Sequence, residues 1–370
     1  MKTRTAVLWN VPGKWHVTEV DLDPPKSDEV LVRMEAAGLC HSDDHMATGD
    51  LPVPVLPFAG GHEGCGVVED VGPGVRVIRP GDRIVTAFVP ACGRCLWCAQ
   101  GAQNLCDSGA GLLAGAQLDG SYRVHVGGRD VAQNGYISTF SEYTVMPVTS
   151  CIVVPPDIPA ASACLFACAV PTGFGSATNA AQIAPGDVVI VMGVGGIGIN
   201  AVQGARHAGA AHVLAVDPVE FKRTSALEFG ASEAFESIHE AAERARALTN
   251  GQGANAAIVT VGVARSEDIG AAFATVSKGG TVVVTSATSS TAQGIPINLL
   301  ELAMYQKRIQ GALYGMGSPH REVPRLIELY LSGSLKIDEL VTRTYSLDQI
   351  NEGYDDMRVG RNLRGVISFG

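Results

Sequence analysis

The sequence has 370 residues, more than one hydrophobic core usually organises, so its length favours two domains. Hydrophobic residues make up 46% and charged residues 17%, which excludes a disordered chain and is typical of globular enzymes and binding proteins. The formal net charge of -10 disfavours binding to nucleic-acid phosphates and to anionic membrane surfaces. The first apolar run is too short for a signal peptide and no stretch approaches a membrane span, so we expect a cytoplasmic protein.

The first part of the chain predicts short β-strands separated by Gly and Pro residues. These strands span residues 17–20, 29–35, 66–71, 83–88 and 143–148. From residue 171 onward, continuous apolar runs alternate with helical stretches, a pattern typical of a doubly wound parallel sheet. The strands predicted there span 188–192, 213–216, 256–261 and 281–285, and the helices span 221–229 and 269–276, with an earlier helix that opens at the glycine-rich turn and runs to about residue 207.

The change in pattern predicts the domain organisation. One amphipathic helix is predicted near residues 322–331, where the mixed character of the first part returns. We therefore expect a β-rich domain formed by residues 1–170 and 314–370, into which an α/β domain of residues 171–313 is inserted.

A glycine-rich turn follows the first predicted strand of the α/β domain. Its sequence satisfies G-x-G-x-x-G, opens a predicted helix, and is followed by a second strand that ends in Asp217, nineteen residues after Gly198. The glycines allow a pyrophosphate to approach the helix N-terminus, and an acidic residue in this register accepts hydrogen bonds from the adenosine ribose. This context predicts binding of NAD(H) in preference to NADP(H). The predicted contacts are Gly193, Gly195, Gly196, Ile197, Gly198, Asp217 and Lys222.

Four of the nine cysteines lie within fifteen residues: Cys92, Cys95, Cys98 and Cys106. In a reducing compartment such a cluster is better explained by metal binding than by disulfides. Four thiolates close a tetrahedral zinc shell and leave no position for substrate, so we predict a structural zinc in a lobe spanning residues 90–108. The third and fourth cysteines disfavour a redox Cys-x-x-Cys pair, and the short loop disfavours an iron–sulfur cluster.

A second set of metal-binding residues is dispersed along the chain. Cys40 and His62 together suggest an open zinc site with two thiolate ligands and one imidazole ligand, which leaves one coordination position for a substrate oxygen. The second thiolate is Cys168 or Cys164, both just before the turn that leads into the α/β domain. Spacing alone does not choose between them.

With these motifs, the sequence resembles the zinc-dependent alcohol dehydrogenases of the medium-chain dehydrogenase/reductase superfamily from end to end. The segment 168–177 is similar to the family's segment around its second thiolate, so the resemblance implies Cys40, His62 and Cys168 as the ligands of the catalytic zinc. It also implies a GroES-like fold for the β-rich domain, a Rossmann fold for the α/β domain, two zinc ions per chain, NAD(H), and assembly as a homodimer or homotetramer.

The resemblance also implies roles for residues around that zinc. Glu63 matches the acidic residue that can approach the metal from behind. Ser42 and His45 match the hydroxyl and the imidazole that relay the alcohol proton to solvent through the nicotinamide ribose. Because Zn²⁺ acts as a Lewis acid on the alcohol, the implied reaction is reversible hydride transfer between a primary or secondary alcohol and NAD.

Three further positions are implied to contact the cofactor. Thr172 matches a contact on the nicotinamide side, and Arg364 matches a pyrophosphate contact. His41 stands where many relatives carry an arginine on the pyrophosphate. Segments 109–115 and 139–143 are similar to the actinobacterial nicotinoproteins, which hold NAD(H) tightly and recycle it with an artificial nitroso acceptor.

Several alternatives remain open at this point. One is a formaldehyde- or aldehyde-metabolising dehydrogenase that is glutathione-independent or uses another thiol, and a non-enzymatic alternative is an NAD-binding structural or sensor protein braced by zinc. The metal-ligand pattern argues against a zinc-free quinone reductase, and Cys168 stands where a polyol dehydrogenase commonly carries a glutamate. Phe88, Phe140 and Leu113 fit a substrate pocket or a core equally well. The expected partner is a small alcohol or aldehyde, with neither nucleic acid nor membrane.

Overall fold

The computed structural model describes residues 1–53, 55–289 and 291–370. The chain forms two compact units, of which the first comprises Met1–Cys168 with Ser318–Gly370 and the second comprises Ala169–Gly317. These bounds lie two and four residues from the domain bounds expected from the sequence. No single helix of the described residues is long and apolar enough to cross a membrane, although the consecutive helical stretches 160–167 and 169–180 together have the length and composition.

The strands and helices are numbered in chain order. The strands are β1 (Lys2–Leu8), β2 (His16–Leu22), β3 (Glu29–Gly38), β4 (Phe58–Ala59), β5 (Gly64–Val71), β6 (Arg83–Thr86), β7 (Val124–Val126), β8 (Arg129–Gln133), β9 (Tyr143–Pro147), β10 (Cys151–Val153), β11 (Val188–Met192), β12 (His212–Val216), β13 (Glu233–Phe235), β14 (Ala254–Val259), β15 (Val276–Val284), β16 (Arg308–Gly311), β17 (Val341–Tyr345) and β18 (Arg364–Ser368). The helices are α1 (His41–Thr48), α2 (Leu96–Ala99), α3 (Ala160–Ala163), α4 (Ala169–Gly175), α5 (Gly196–His207), α6 (Glu220–Glu228), α7 (Ile238–Leu248), α8 (Ser266–Thr275), α9 (Leu299–Met304), α10 (Pro319–Leu331) and α11 (Ile350–Arg358).

The first unit is rich in β-structure, as expected. Strands β1, β2, β7, β8 and β4 close a barrel, and a second sheet runs in the order β10-β6-β5-β3-β18-β17, with β9 paired to β3. Strand β3 is buried along most of its length and is antiparallel to β5, β9 and β18. Because a strand buried between neighbours has a strongly specified register, β3 fixes the positions of the residues that follow it.

The second unit confirms the doubly wound parallel sheet. Its six strands are parallel and run in the order β13-β12-β11-β14-β15-β16. Counted within this unit, the order is 3-2-1-4-5-6, the arrangement that binds dinucleotides where the strand order reverses. The reversal lies between β11 and β14, and the glycine-rich turn leaves the carboxyl end of β11.

Some elements differ from the sequence-based expectation. Strand β15 begins at Val276 instead of residue 281, because Val276 already pairs with Ala254 before the register shifts and pairing resumes with Thr281 opposite Ala256. Helix α7 was not predicted, although Ser237 and Glu240 form a capping box at its start. Two short edge strands, β13 and β16, were also missed because neither contains an apolar run long enough to stand out.

Candidate functional site

The four cysteines of the lobe form a compact thiol cluster. One sulfur atom from each of Cys92, Cys95, Cys98 and Cys106 lies within 4.8 Å of the others. The Sγ atoms of Cys92 and Cys98 are 3.9 Å apart, as are those of Cys95 and Cys106. A tetrahedron of Zn–S bonds of about 2.3 Å has edges of about 3.8 Å, so the cluster fits zinc without rearrangement.

Backbone N–H groups surround the sulfur atoms of this lobe. The amide of Cys92 donates to Cys106 Sγ at 3.3 Å, and the amide of Cys95 donates to Cys92 Sγ at 3.4 Å. Donation from the amides of Arg94 and Cys95 lowers the pKa of the Cys92 thiol to about 6. At Cys92 the lobe therefore favours the thiolate form that zinc requires, whereas burial raises the pKa of the Cys98 thiol to about 12.

Strand pairing brings Cys40 and His62 together. Strand β3 runs antiparallel to β5 with Ala37 opposite Gly64. Cys40 lies two residues beyond the end of β3, and His62 lies two residues before the start of β5. Because these two strand ends are neighbours, side chains that are 22 residues apart in the sequence reach the same point.

Cys168 and Glu63 complete a second group of side chains that could hold a metal ion, here called the metal-binding group. One ligand atom from each of Cys40, His62, Glu63 and Cys168 lies within 4.8 Å of the others, and all four side chains are buried. Cys164, the other sequence-based candidate, instead donates its thiol hydrogen to the carbonyl oxygen of Ala161 at 3.2 Å. The donor set of two thiols, one imidazole and one carboxylate fits Zn²⁺.

Asp43 orients the His62 ring, and the sequence did not single it out. Its Oδ2 lies 2.9 Å from His62 Nδ1, which leaves Nε2 as the ring nitrogen available to a metal ion. Asp43 and Asp44 both lie in the first turn of α1, where consecutive residues point about 100° apart. Asp44 consequently pairs with Arg358, whereas Asp43 is fully buried against the imidazole. A carboxylate on the outer nitrogen of a ligand histidine fixes its tautomer and raises its basicity.

Burial and neighbouring charges shift the pKa values at this site. The thiol of Cys168 donates to Cys40 and lowers the Cys40 pKa well below its usual value, assisted by His62 and Arg364. Burial alone would lower the pKa of His62, but the Asp43 carboxylate and Cys40 together outweigh burial and raise it well above its usual value. Burial raises the pKa of Glu63 to about 7, although Arg364 opposes the shift.

The residues of the implied proton relay lie on α1. Ser42 Oγ donates to Cys40 Sγ at 3.2 Å and lies 3.4 Å from His62 Nε2. His45 is buried, and its Nδ1 lies 3.4 Å from a carboxylate oxygen of the half-exposed Asp50. The ring of His41 stacks on that of His45 with centroids 5.8 Å apart. Ser42 is thus adjacent to the metal-binding group, and His45 is adjacent to a carboxylate that reaches solvent.

Arg364 and Thr172 lie in different units. Arg364 is 4% exposed and forms a buried ion pair with Glu63, directly beside the metal-binding group. Its implied contact with a pyrophosphate remains a prediction. Thr172 belongs to α4 of the second unit, where its carbonyl oxygen accepts a hydrogen bond from Ser176 Oγ at 2.7 Å. Its implied contact with the nicotinamide also remains a prediction.

Three glycines of the turn after β11 meet different requirements. Gly193 has a φ of +90°, and a Cβ there would lie 2.8 Å from the backbone nitrogen of Val261. A Cβ on Gly198 would overlap the carbonyl oxygen of Gly193. A Cβ on Gly195 would meet none of the described atoms within 4 Å, so this face is open next to the start of α5. Open space at a helix N-terminus suits a pyrophosphate.

Asp217 directly follows β12 and is 5% exposed. Its Oδ2 accepts the Val194 N–H at 3.0 Å, and its Oδ1 accepts the Val219 N–H at 2.9 Å. Each carboxylate oxygen retains a lone pair, so the pair of oxygens can still accept hydroxyl groups of a ribose. Lys222 lies on α6, one residue before Arg223, whose Nη1 donates to the Asp217 carbonyl oxygen at 2.8 Å.

The aromatic residues that fitted either a pocket or a core separate in the structure. Phe88 stands edge-on to the His62 ring, with centroids 5.5 Å apart. Phe140 is fully buried against Trp15 and Tyr354, so it belongs to the core. Leu113 is 39% exposed. Phe88 therefore lies against a side chain of the metal-binding group.

Two family models match the chain. The model described as "Alcohol dehydrogenase GroES-like domain" matches residues 26–156, and the model described as "Zinc-binding dehydrogenase" matches residues 196–332. An "NDMA-dependent alcohol dehydrogenase" from Amycolatopsis methanolica is 48% identical over 367 residues, which cover 99% of each chain. "Alcohol dehydrogenase B" from Mycobacterium tuberculosis is 45% identical over 370 residues, which cover 100% of this chain and 99% of the relative.

Solved structures agree with this similarity. An alcohol dehydrogenase zinc-binding domain protein from Burkholderia ambifaria superposes with a TM-score of 0.93 at 30% identity, over 100% of this chain and 99% of that chain. The benzyl alcohol dehydrogenase from Acinetobacter calcoaceticus superposes with a TM-score of 0.91 at 27% identity, over 100% of both chains. Both similarities span the two units described above.

A Cβ at Gly195 has open space, whereas a Cβ at Gly198 would overlap backbone, so one added methyl group should have different effects at the two positions. We expect Gly195→Ala to keep the thermal stability of the wild type while raising the Kd for NAD(H) about tenfold or more, or about 1.4 kcal/mol. Gly198→Ala should destabilise the fold by about 1–3 kcal/mol, because the methyl group overlaps backbone. Thermal unfolding and cofactor titration measure both effects, and equal loss of stability in the two variants would contradict the assignment.

The two thiol clusters predict different effects of the same substitution. We expect Cys95→Ser to remove one zinc per chain and to lower the Tm by about 5 °C or more, because structural zinc contributes to the folding free energy. Cys40→Ser should also weaken binding of one zinc but change the Tm little, because its surroundings are a packed core. Metal analysis and calorimetry test this, and an unchanged Tm in Cys95→Ser would count against a structural site.

Proposed function

This chain belongs to the zinc-dependent alcohol dehydrogenases of the medium-chain dehydrogenase/reductase superfamily, and we propose that Cys40, His62 and Cys168 hold the zinc at which it oxidises alcohols. It is an oxidoreductase of small alcohols and aldehydes whose cofactors are zinc and NAD(H). The observation that carries the proposal is that these three ligand atoms and one oxygen of Glu63 lie within 4.8 Å of one another, on side chains that are all buried.

Residues near the proposed ligands have separate proposed roles. When bound, zinc supplies a Lewis acid that lowers the pKa of an alcohol hydroxyl, and NAD accepts the hydride. Asp43 holds His62 so that Nε2 points at the thiols. Ser42 lies 3.2 Å from Cys40 Sγ and is placed to take the hydroxyl proton. His45, beside the half-exposed Asp50, is placed to release that proton to solvent.

The second unit is proposed to bind the dinucleotide through the turn at Gly193–Gly198 and through Asp217. The N-terminus of α5 and the open face of Gly195 suit the pyrophosphate. The Asp217 carboxylate would accept the ribose hydroxyls and repel a 2′-phosphate, which supports NAD(H) over NADP(H). Thr172, His41, Lys222 and Arg364 remain proposed cofactor contacts.

We further propose that NAD(H) is held tightly and that the substrates are primary or secondary alcohols. The similarity to the NDMA-dependent relative from Amycolatopsis methanolica supports this subgroup. A thiol-dependent formaldehyde dehydrogenase is the alternative chemistry for the same zinc site. We place the protein in the cytoplasm, where reducing conditions keep zinc-binding thiols available, and cell fractionation tests this.

Turnover and cofactor retention test the function together. Purified wild-type protein should retain NAD(H), seen as NADH absorbance after addition of an alcohol, and should turn over when a nitroso acceptor is supplied. His62→Ala should retain NAD(H), because the turn after β11 is unchanged, but should lose turnover by about 10³-fold or more for want of a zinc ligand.

Two outcomes would contradict this function. The first is wild-type turnover in His62→Ala, which would place the chemistry elsewhere. The second is turnover of formaldehyde that depends on an added thiol while alcohols remain unreacted, which would favour the alternative chemistry.

We also propose that the chain forms a homo-oligomer through one edge of the second unit. Strand β16 is an edge strand of the parallel sheet, and the preceding helix α9 exposes Leu299, Leu300 and Met304 at 72%, 68% and 70%. An unpaired strand edge next to exposed apolar side chains favours pairing with another copy of the same surface.

The same substitution at two exposed leucines tests this interface. We expect Leu300→Glu to shift the protein to monomers, because it places a charge on the proposed contact. Leu331→Glu, at a residue that is 55% exposed on α10, should leave the assembly unchanged. Light scattering after size-exclusion chromatography measures the mass, and an unchanged mass in Leu300→Glu would contradict the proposed interface.

A further inference from the structure

Asn134 contacts the carboxylate that orients His62. It follows β8 directly, is 4% exposed, and donates from Nδ2 to Asp43 Oδ1 at 2.8 Å. The same oxygen accepts the Gly61 N–H at 2.9 Å, while Oδ2 of the carboxylate faces His62 Nδ1 at 2.9 Å. Asn134 is therefore hydrogen-bonded to Asp43, and Asp43 in turn contacts the proposed zinc ligand His62.

Two donors on one oxygen restrict the Asp43 carboxylate more than one donor does. A carboxylate group turns readily about its bond to Cβ, because that torsion is broad. The Gly61 N–H alone fixes the distance of Oδ1 but leaves that rotation open. A second donor, from a different direction, fixes the plane of the group and hence the position of Oδ2. Since the amide of Asn134 is neutral, the negative charge of Asp43 stays available to the imidazole.

The backbone around Asn134 is held in an unfavourable conformation. Tyr136 and Ser138 have φ values of 68° and 43°, in the left-handed region that non-glycine residues rarely occupy. Such strain persists only where surrounding contacts hold it, and it is concentrated at functional sites. Here Ser138 Oγ accepts the Asn134 N–H at 2.8 Å and donates to the Ala59 carbonyl oxygen at 2.8 Å. Tyr136 OH donates to the Ser108 carbonyl oxygen at 2.9 Å.

We propose that Asn134 is a positioning residue for the catalytic zinc, which acts through Asp43 on the ligand His62. The inference rests on the zinc site proposed above. The strained segment aims the amide at Oδ1, the amide fixes the carboxylate, and the carboxylate keeps Nε2 of the imidazole directed at Cys40 and Cys168. Replacing the Asn134 amide should weaken the binding of zinc, although the three ligand residues are unchanged.

The test measures release of zinc from the purified holoenzyme into excess chelating dye. His62→Ala identifies the catalytic zinc as the phase of release that it lacks, and the lobe zinc serves as an internal reference. In Asn134→Leu and Asn134→Asp we expect the catalytic zinc to leave about 3- to 10-fold faster, because groups that support ligands commonly change metal affinity or activity by about 10- to 100-fold. Release from the lobe should not change.

Asn134→Asp keeps the size of the side chain, so it carries the test if Asn134→Leu does not fold. Asn351→Leu is the matched control, since Asn351 makes two hydrogen bonds to the backbone of Trp15 in the same unit. It should release both zinc ions at wild-type rates. With cobalt in place of the catalytic zinc, the Asn134 variants should also shift the visible absorption bands, and Asn351→Leu should not.

The outcomes separate this inference from the proposed zinc site. Wild-type release in both Asn134 variants would overturn the inference alone, as would faster release from both sites matched by Asn351→Leu. If the wild-type protein has no phase of zinc release that His62→Ala removes, the zinc site itself fails and this inference fails with it.

Discussion

The antiparallel pairing of β3 with β5 is the constraint on which the metal-binding group depends. With Ala37 opposite Gly64, the thiol that follows one strand and the imidazole that precedes the other meet at neighbouring strand ends. A slip of one residue would turn alternate side chains to the opposite face of the sheet and separate the ligands. The burial of β3 between its neighbours prevents that slip, so the core determines the geometry of the site.

Charge balance is the second determinant of this site. The Glu63 and Asp43 carboxylates are both fully buried, and each has one cationic or imidazole partner, Arg364 and His62 respectively. Buried charges without partners are costly, so two thiolates added to this pocket need a further positive charge. A divalent ion supplies it. The four cysteines of the lobe need no such charged side chains nearby. Most of them are half-exposed, so solvent and backbone N–H groups stabilise their thiolates.

The sequence predicted what is encoded locally and missed what tertiary contacts create. The turn from Gly193 to Gly198 and the cysteines from Cys92 to Cys106 were recognisable because all their chemistry lies in one short segment, and the parallel sheet was recognisable from continuous apolar runs. Asp43 was hidden because an identical residue adjoins it, and only the phase of α1 separates their directions. The sequence around Asn134 did not indicate its role, since that role depends on a contact with Asp43 across 91 residues.

Strand β3 also positions Arg364, through its pairing with β18. Arg364 is the first residue of β18, which pairs with β3 with Val366 opposite Gly38. Strand β3 therefore lies between the strand that follows His62 and Glu63 and the strand that begins with their cationic neighbour. The Arg364 guanidinium has five N–H donors, so its ion pair with Glu63 leaves donors for a second anion. Three adjacent strands thus place the thiol, the imidazole, the carboxylate and the guanidinium, and a change of register in any of them would alter metal binding and this ion pair together.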